Sequence, residues 1–409
     1  MTERSETTTT WANPDGTLTT DVAAGPVRFY DQKVRSWRDV DVNLVRGADG
    51  AVASKAHPHG LKLGRGESRA AKPAPKASAS APATDLVTLG EGDRQITLRW
   101  KGSLPVPKLV GTRAEYTNAV AGGDVVVEAT RTGFEQFVEL KQRPPADGYS
   151  YTLPLAAKGL KAEQQADGSV LFTDGRSRKS AIMPAPVMWD STLDPVSGEH
   201  THTVPVAMKV VQKKGTVDLV VTPDSRFLAD PSTKYPVVID PSTSSLGSLF
   251  DTYVQQGEAV DWSNDTELDL GNPGTTNSNG TPRLARSFIT WNTASLVDLP
   301  ITSAQLSLWN FRSGNIDCSA QPWEVWSADN ATPTSRWTNQ PRMESKYSTS
   351  TDTRGNPGCT SASAGWINTD VTNLVKHWSS KRWTYSGMGL VSVQGCGFRS
   401  LLAVSRGCR

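Results

Sequence analysis

The chain has no run of about 18 consecutive apolar residues, so no segment is suited to cross a membrane as a helix. Its first residues, MTERSETTTTW, lack the apolar stretch of a secretory signal peptide. An excess of one charge is also absent, because 43 Lys and Arg face 41 Asp and Glu for a formal charge of +2. This balance gives no field that would attract nucleic acid or an anionic membrane, so we expect neither as a partner.

The signature motifs of several common enzyme classes are missing. No GxSxG, HExxH or P-loop pattern occurs, and the close histidine pairs are His57 with His59 and His200 with His202. An i, i+2 pair on a strand points both rings to one side, which suits a metal, but a polar strand surface explains the pairs as well. The missing motifs give no indication of an enzyme, and we expect no cofactor, with calcium as a possible ligand of the acidic residues.

Cysteine is absent before residue 318, and the chain then has Cys318, Cys359, Cys396 and Cys408. Cys318 and Cys359 lie in the loop-like stretches NIDCSAQPW and NPGCTSASAGW, without CxxC spacing or a nearby histidine that would suggest zinc. We expect a disulfide between these two residues, worth roughly 4 kcal/mol in the chain-entropy model. Such a bond favours a location outside the cytosol, whereas the pairing of Cys396 and Cys408 stays open.

Residues that favour strands and turns are abundant, with 34 Gly, 26 Pro and many Thr, Val and Ser. In WRDVDVNLV, apolar residues alternate with polar ones, which is typical of a half-buried antiparallel strand, and Asp-Gly turns recur along the chain. The pattern predicts an all-β protein, with N-terminal antiparallel β regions followed by a C-terminal jelly-roll-like β-sandwich.

Shifts in composition divide the chain into five predicted regions. An Ala/Pro/Ser stretch has no large apolar residue to bury and is read as a linker or loop, and the last residues are rich in Arg, Cys and Gly. The regions are residues 1–66 (N-terminal β region), 67–84 (linker or loop), 85–241 (second antiparallel β domain), 242–394 (β-sandwich) and 395–409 (atypical tail).

Tryptophan is concentrated in the second half, where nine of the thirteen residues follow Ser242. Large aromatic rings usually fill the core of a sandwich, but exposed rings can form a platform on which sugars stack. The candidates for such a platform are Trp262, Trp323 and Trp326, of which the last two follow the first cysteine of the predicted disulfide loop.

The stretch DWSNDTELD places several acidic residues in a loop and the strand after it. The oxygen ligands of Asp261, Asp265 and Asp269 suit calcium, although the spacing is not that of an EF-hand. A solvated turn explains the same residues, because acidic side chains usually lie on the surface.

The stretch GWINTDVTNLVKHW predicts a short helix. Asp370 and His377 return to nearly one face but lie about 10 Å apart along the axis, too far for a direct hydrogen bond. A stripe of Val371, Leu374, Val375 and Trp378 has the i, i+3, i+4, i+7 spacing of a helix that docks on a core, with Asp370 or Thr372 as its cap. The stretch is therefore interpreted as scaffold.

Ordered motifs in the second half give the chain a resemblance to a known group of modules. The motifs run from about Phe250 to Gln394 and are DTYVQQ, TELDLGN, RSFITWNTASLVDLPITSAQLSLWN, RWTNQP and GWINTDVTNLVKHW. This half resembles the DNRLRE domain group of secreted bacterial proteins, which overlaps carbohydrate-binding module family 96. The resemblance implies a noncatalytic β-sandwich.

The front half resembles the leader region that precedes this module in large secreted actinobacterial proteins, often with Rhs repeats. Its signatures are ANPDGTLTT, WRDVDVNLV, AHPHGLKL and FLADPSTKYPVVIDP. The chain departs from the family in lacking a signal peptide and in ending with QGCGFRSLLAVSRGCR, where family members continue through a further strand. We expect a frameshift or truncation near Gln394 and a sandwich without its last strand.

Together these features predict a noncatalytic protein that is secreted or located at the cell surface. Its C-terminal sandwich is expected to bind polysaccharide or to serve in adhesion. The alternative is a purely structural leader or spacer of a larger Rhs-like or toxin-bearing protein. A polysaccharide lyase or hydrolase is the least favoured reading, because nothing marks a pair of carboxylates at the required separation.

Overall fold

A computed structural model of the chain divides into two compact units, each built from separate stretches of sequence. Unit 1 contains Met1–Trp37, Leu193–Thr201 and Gly247–Arg409, and unit 2 contains Arg38–Thr192 and His202–Leu246. The structure describes residues 1–67, 83–145, 149–194, 198–213, 216–241, 243–245, 249–263, 265, 267–277, 280–314, 318, 321–356, 358–359, 363–392 and 398–403.

The two units differ from the predicted regions. The stretch 1–66 does not form one region, since Trp37 belongs to unit 1 and Arg38 to unit 2. Most of the predicted linker 67–84 lies outside the described residues, and Ala83 already begins a strand. A β region can be divided in this way because strand pairing joins segments that are distant in sequence.

Antiparallel strands make up most of both units, which confirms the all-β prediction. The first strands are β1 (Glu3–Arg4), β2 (Thr8–Ala12), β3 (Leu18–Val22), β4 (Arg28–Asp31) and β5 (Ser36–Asp39). Strands β1, β2 and β3 form one antiparallel sheet, and β4 pairs with β5.

Unit 2 contains two larger sheets and a short helix, α1 (Ser225–Ala229). Its strands are β6 (Asp41–Arg46), β7 (Val52–Ala56), β8 (Leu61–Leu63), β9 (Ala83–Glu91), β10 (Arg94–Lys101), β11 (Lys108–Val110), β12 (Arg113–Val120), β13 (Gly123–Ala129), β14 (Gly133–Leu140), β15 (Tyr151–Lys158), β16 (Leu160–Gln164), β17 (Val170–Asp174), β18 (Lys179–Met183), β19 (Val187–Trp189), β20 (Thr203–Pro205), β21 (Ala207–Lys213), β22 (Thr216–Thr222), β23 (Val237–Asp240) and β24 (Thr243–Ser245).

One sheet of unit 2 has the strand order β21-β22-β15-β10-β9-β8-β7-β6, and the other has the order β11-β12-β13-β14-β24-β18-β17-β16. Strand β23 pairs with β14 and β19, and β20 pairs with β19. The strands of both sheets contribute to one hydrophobic core, for example through Leu98 and Leu219 in the first sheet and Phe134 and Phe172 in the second. Two sheets that bury their apolar faces against each other form a sandwich.

The C-terminal part of unit 1 is a second sandwich. Its elements are β25 (Asp251–Gln255), β26 (Leu268–Asn272), β27 (Ala285–Asn292), β28 (Gln305–Ser313), β29 (Trp323–Ala328), β30 (Met343–Ser350), β31 (Gly365–Asp370), α2 (Thr372–Ser380), β32 (Tyr385–Ser392) and β33 (Phe398–Ala403), with short 3₁₀ turns at Ala294–Leu296 and Trp337–Asn339.

The strand order of this sandwich is β30-β29-β32-β27-β26-β33-β28-β31, and β25 pairs with β27. A single residue pair, Gly271 with Ala285, joins β26 to β27, so the sheet turns at this point into two layers. Strands on both sides of the turn supply buried residues such as Leu308 and Val325 to one core. Leu374 and Trp378 of α2 enter this core, which confirms that the helix is scaffold.

The prediction of a missing last strand is wrong. Phe398–Ala403 forms β33, which pairs with β26 on one side and with β28 on the other. Ladder hydrogen bonds come from the backbone, so a segment of unusual composition can still fill a gap in a sheet. Residues 393–397 and 404–409, with Cys396 and Cys408, lie outside the described residues.

Candidate functional site

The outward face of the antiparallel pair of strands β28 and β31 combines exposed aromatic and polar side chains. Leu306 and Leu308 of β28 and Ile367 of β31 point into the core, so the alternate residues of each strand point outward. We call these outward residues the platform face; they are Gln305, Ser307 and Trp309 on β28, and Trp366, Asn368 and Asp370 on β31. Strand β31 is an edge strand of the sheet, so the platform face lies at the edge of the sandwich.

Two tryptophans lie directly opposite each other on the platform face. Trp309 pairs with Trp366 in the ladder, and their ring centroids are 5.5 Å apart at an interplanar angle of 76°. Trp366 is 38% exposed, whereas Trp309 is half-buried. In such an edge-to-face pair the less exposed ring supports the other and fixes its orientation. Trp366 therefore offers a firmly held aromatic surface to a ligand.

Polar side chains continue the platform face along both strands. Ser307 lies opposite Asn368, and its Oγ donates to Asn368 Oδ1 at 2.6 Å. The next pair is Gln305 with Asp370, and both residues are exposed. Successive pairs on one face are about 6.6 Å apart, so the Asn368 amide lies about 6.6 Å and the Asp370 carboxylate about 13 Å along β31 from Trp366. The amide can bond a hydroxyl of a stacked sugar, and the carboxylate is within reach of a neighbouring sugar of the same chain.

Asp370 and Asp352 serve the local backbone as well. The Oδ1 of Asp370 accepts the backbone N–H of Thr372 at 2.7 Å, and the hydroxyl and backbone N–H of Thr372 lower the pKa of this carboxyl. Asp370 is therefore ionised at neutral pH. The Oδ2 of Asp352 accepts the backbone N–H of Asn368 at 3.2 Å, which ties the neighbouring loop to β31.

Gly365 alternates with Trp366 on β31, so it faces the side of the strand opposite the platform face. A Cβ atom at this position would lie 3.5 Å from Cγ of Arg354, so the arginine stem passes over the glycine. The Nε of Arg354 lies 3.9 Å from Asp352 Oδ1. The stem of Arg354 therefore lies on the side of β31 opposite Trp366.

The structure contradicts the prediction that Trp323 forms part of a sugar-binding platform. Its side chain is 1% exposed in the sandwich core, and its Nε1 donates to the carbonyl of Asp352 at 3.0 Å. A ring in this position has no face open to a sugar. The alternation of β29 explains the position, because Trp323 and Val325 point into the same core.

Trp262 and Trp326 are half-buried. The ring of Trp262 stacks on buried Tyr253 with centroids 5.2 Å apart, and it packs against the sandwich core. The Nε1 of Trp326 donates to Glu324 Oε2 at 2.9 Å, and Lys346 binds the other oxygen of this carboxylate. Both rings have a structural partner, and neither lies on β28 or β31.

The three acidic residues proposed from sequence take different partners. Asp261 Oδ1 accepts the backbone N–H of Ser263 at 3.0 Å, and its Oδ2 lies 3.9 Å from Arg336. Asp265 accepts a hydrogen bond from the hydroxyl of Tyr253 at 3.3 Å. Asp269 is fully buried on β26. Asp269 instead adjoins Glu199 and Glu267, and one carboxylate oxygen of each lies within 4.8 Å of the others.

Glu199, Glu267 and Asp269 are thus the described residues whose oxygens could together hold a cation such as calcium. Sequence reasoning missed Glu199 because the segment Leu193–Thr201 reaches unit 1 from the middle of the chain. Gly198 lies against the guanidinium of Arg312, since a Cβ there would be 2.2 Å from one of its nitrogens. A positive group therefore already adjoins this segment.

One histidine of each pair has a hydrogen-bonding partner for its ring. His57 accepts the backbone N–H of His59 at its Nδ1 and donates from Nε2 to the carbonyl of Thr130. His202 Nδ1 lies 3.0 Å from Asp190 Oδ2. His377 contacts the rings of Tyr347 and Trp383, and it does not meet Asp370, which bonds Thr372.

The sequence of residues 242–399 matches the family described as Carbohydrate-binding module family 96. The segment is a carbohydrate-binding module family 96-like domain. The family 96-like module coincides with the sandwich that carries the platform face, and the family match supports a carbohydrate-binding role.

Three curated relatives share a shorter stretch with this chain. A tRNA3(Ser)-specific nuclease WapA of Bacillus spizizenii is 39% identical over 108 residues, and a tRNA(Glu)-specific nuclease WapA of Bacillus subtilis subsp. natto is 40% identical over 109 residues. The tRNA nuclease WapA of Bacillus subtilis strain 168 is 41% identical over 95 residues. These matches cover 23 to 26% of this chain, and the chain spans about 5% of the length of these relatives.

Among the described residues, no helix is long and apolar enough to span a membrane.

Proposed function

We propose that the chain is a noncatalytic protein, secreted or at the cell surface, whose family 96-like module binds polysaccharide through the platform face. The observation that carries the proposal is the cross-strand pair of Trp309 and Trp366, which presents an exposed ring on the same face as the Asn368 amide, one pair away, and the Asp370 carboxylate, two pairs away. Stacking on the aromatic ring and hydrogen bonds to sugar hydroxyls would act together.

The proposal is tested by affinity electrophoresis of the full chain, under oxidising conditions, in gels that contain a panel of polysaccharides. Insoluble polysaccharides are tested by pull-down. The variants are Trp366→Ala, Trp309→Ala and the double variant. We expect Trp366→Ala to weaken retention about tenfold or more, as truncation of a central aromatic contact usually does.

Trp383→Ala is the matched control, because Trp383 lies in the same unit and is also 38% exposed. Trp326→Ala tests the residue chosen from sequence. Retention that survives the double Trp309/Trp366 variant in a folded state, or that is lost with Trp383 alone, would contradict the platform face as the site.

A second candidate function is that of a structural leader or spacer in a larger toxin-bearing protein. It is favoured by the three nuclease relatives, in which the matching stretch is a small part of a long chain. Failure of the folded chain to bind any polysaccharide of the panel would place this reading first.

A further inference from the structure

A pocket of about 400 Å³ opens in unit 2 where three turns meet. The turn between β9 and β10 contributes Asp93 and Arg94, and the turn between β15 and β16 contributes Gly159. The turn between β17 and β18 contributes Asp174, Arg176 and Arg178. This volume lies in the range of small-molecule sites.

Arginine dominates the charge of this pocket. Asp174 is 8% exposed, and its Oδ2 accepts Arg178 Nε at 2.9 Å and lies 3.1 Å from a terminal nitrogen of Arg94. The backbone N–H of Arg178 is the main cause that lowers the pKa of Asp174 to about 2, so this carboxylate stays ionised. Asp174 thus holds two guanidinium groups at the pocket, although both keep more than half of their surface exposed.

Arg176 adds a third positive charge to the lining. Its backbone N–H donates to Asp174 Oδ1 at 2.9 Å, and its side chain is exposed and forms no ion pair within the described part of the chain. The other carboxylate of the lining, Asp93, lies 3.8 Å from Lys158 Nζ. The cations around the pocket therefore outnumber the carboxylates.

The backbone of the pocket is fixed before any ligand arrives. Gly159 has a φ of +67°, and a Cβ there would lie 1.9 Å from the carbonyl oxygen of Asp93. Any other residue would force the two turns apart. On the other side, Asp174 Oδ1 also accepts the backbone N–H of Arg178 at 3.0 Å, which closes the turn that carries the arginines. Preorganised donors bind a ligand with a smaller entropic cost.

We propose that this pocket binds a tetrahedral oxyanion, such as the phosphate or sulfate group of a small ester. Planar guanidinium groups bond such oxygens in pairs, and each charge-assisted bond is stronger than a neutral one. The volume exceeds the need of a single ion, so a ligand that carries the group on a sugar-sized body fits best. The site lies in unit 2, outside the family 96-like module, and does not depend on the platform face.

The experiment is isothermal titration of the full chain at low salt with inorganic phosphate, inorganic sulfate, glucose 6-phosphate and glucose 6-sulfate. Glucose is the neutral control ligand. We expect the esters to bind, glucose not to bind, and the affinity for the esters to fall as sodium chloride is added, because the guanidinium groups are exposed to solvent. Binding of the inorganic ions alone would contradict the part of the proposal that concerns esters.

Arg176→Gln is the decisive variant, because Arg176 has an exposed side chain outside the Asp174 ion pairs and its loss should not disturb folding. We expect the affinity for the esters to fall about tenfold or more, the usual effect of losing a charge-assisted hydrogen bond. Arg176→Lys should recover part of the affinity. The matched control is Arg99→Gln. Arg99 is an exposed arginine on β10, five residues after Arg94, and it pairs with Asp85.

Ester binding that is equal in Arg176→Gln, Arg99→Gln and the unchanged chain would overturn the site, as would the absence of binding by any oxyanion. The double Trp309/Trp366 variant separates this proposal from the proposed function. It should bind the esters normally even where it has lost polysaccharide.

Discussion

Individual tryptophans of the family 96-like module have opposite roles that depend on burial. Trp323 is 1% exposed and fills the core, whereas Trp366 is 38% exposed and faces solvent on β31. Both lie on strands, and in both cases the neighbouring residues of the strand point the other way. Truncation of Trp323 should therefore lower stability, while truncation of Trp366 should lower ligand binding.

His57 is a second residue whose surroundings set its behaviour. It is 6% exposed, and burial is the main cause that lowers its pKa to about 4, with His59 nearby as a smaller cause. Because Nδ1 accepts the N–H of His59, the neutral ring carries its proton on Nε2 and donates it to Thr130. A second proton would remove the acceptor at Nδ1.

We predict that stability falls with acid between pH 6.5 and pH 4 because of His57. The unfolded chain protonates this residue near pH 6.5, whereas the folded chain resists protonation down to about pH 4. The contribution of neutral His57 to the free energy of unfolding is complete above pH 6.5. It is lost as the pH falls from 6.5 to about 4, and the total loss is about 3 kcal/mol. Urea unfolding at pH 7 and pH 4.5, for the chain and for His57→Asn, measures it.

The His57→Asn variant should show a smaller difference in unfolding free energy between the two pH values, whatever its stability at pH 7. All carboxylates titrate equally in both proteins, so they cancel in the comparison. An equal pH dependence of the two proteins would show that His57 does not titrate as described.

At the scale of elements, the disulfide joins the loop after β28 to the loop before β31. Cys318 and Cys359 are bonded with Cα atoms 5.6 Å apart, 41 residues apart in sequence. These are the two strands that carry the platform face. In the unfolded chain the bond therefore closes a loop that contains β29 and β30.

We predict that loss of this disulfide lowers the free energy of unfolding of unit 1 by about 4 kcal/mol, from the entropy of a loop of this length. Guanidinium denaturation followed by tryptophan fluorescence, with and without reductant, measures the loss. The double variant Cys318→Ser/Cys359→Ser should match the reduced chain. Any further effect of reductant on that variant would report on Cys396 and Cys408 rather than on this bond.

At the scale of the whole molecule, unit 1 is assembled from three separate segments. Ala24 is 3% exposed in the core of the sandwich, and Val22 packs against it. The segment Leu193–Thr201 adds Asp194, which is 2% exposed and accepts a hydrogen bond from the hydroxyl of Thr275. The region that matches family 96 is thus not the whole of the folded unit.

We predict that a fragment of residues 242–409 is less stable than unit 1 in the full chain by at least about 2 kcal/mol, because burial of Val22 and Ala24 is lost. Guanidinium unfolding of both proteins, followed by tryptophan fluorescence, gives the comparison. Addition of a peptide with residues 1–37 should shift the midpoint of the fragment upward. Identical midpoints for fragment and full chain would show that these contacts do not stabilise the sandwich.

The sequence by itself determined the all-β class, helix α2 as scaffold and the family of the second half. Each of these follows from local information, namely the period of apolar residues and ordered motifs. The alternation along the strands also indicated that Trp309 and Leu308 face opposite sides of β28, and that Trp366 and Ile367 face opposite sides of β31.

Only the tertiary structure decided which of the two faces of each strand meets the core. The alternation of residues along a strand sorts them into two faces, but it does not say which face is covered. For this reason sequence reasoning chose Trp323, which is buried, and overlooked Trp366, which is exposed. Contacts between distant parts of the chain likewise brought Glu199 next to Asp269 and placed β33 between β26 and β28. They also brought the three arginines of the pocket together. Such contacts depend on the path of the chain in space, which local patterns do not specify.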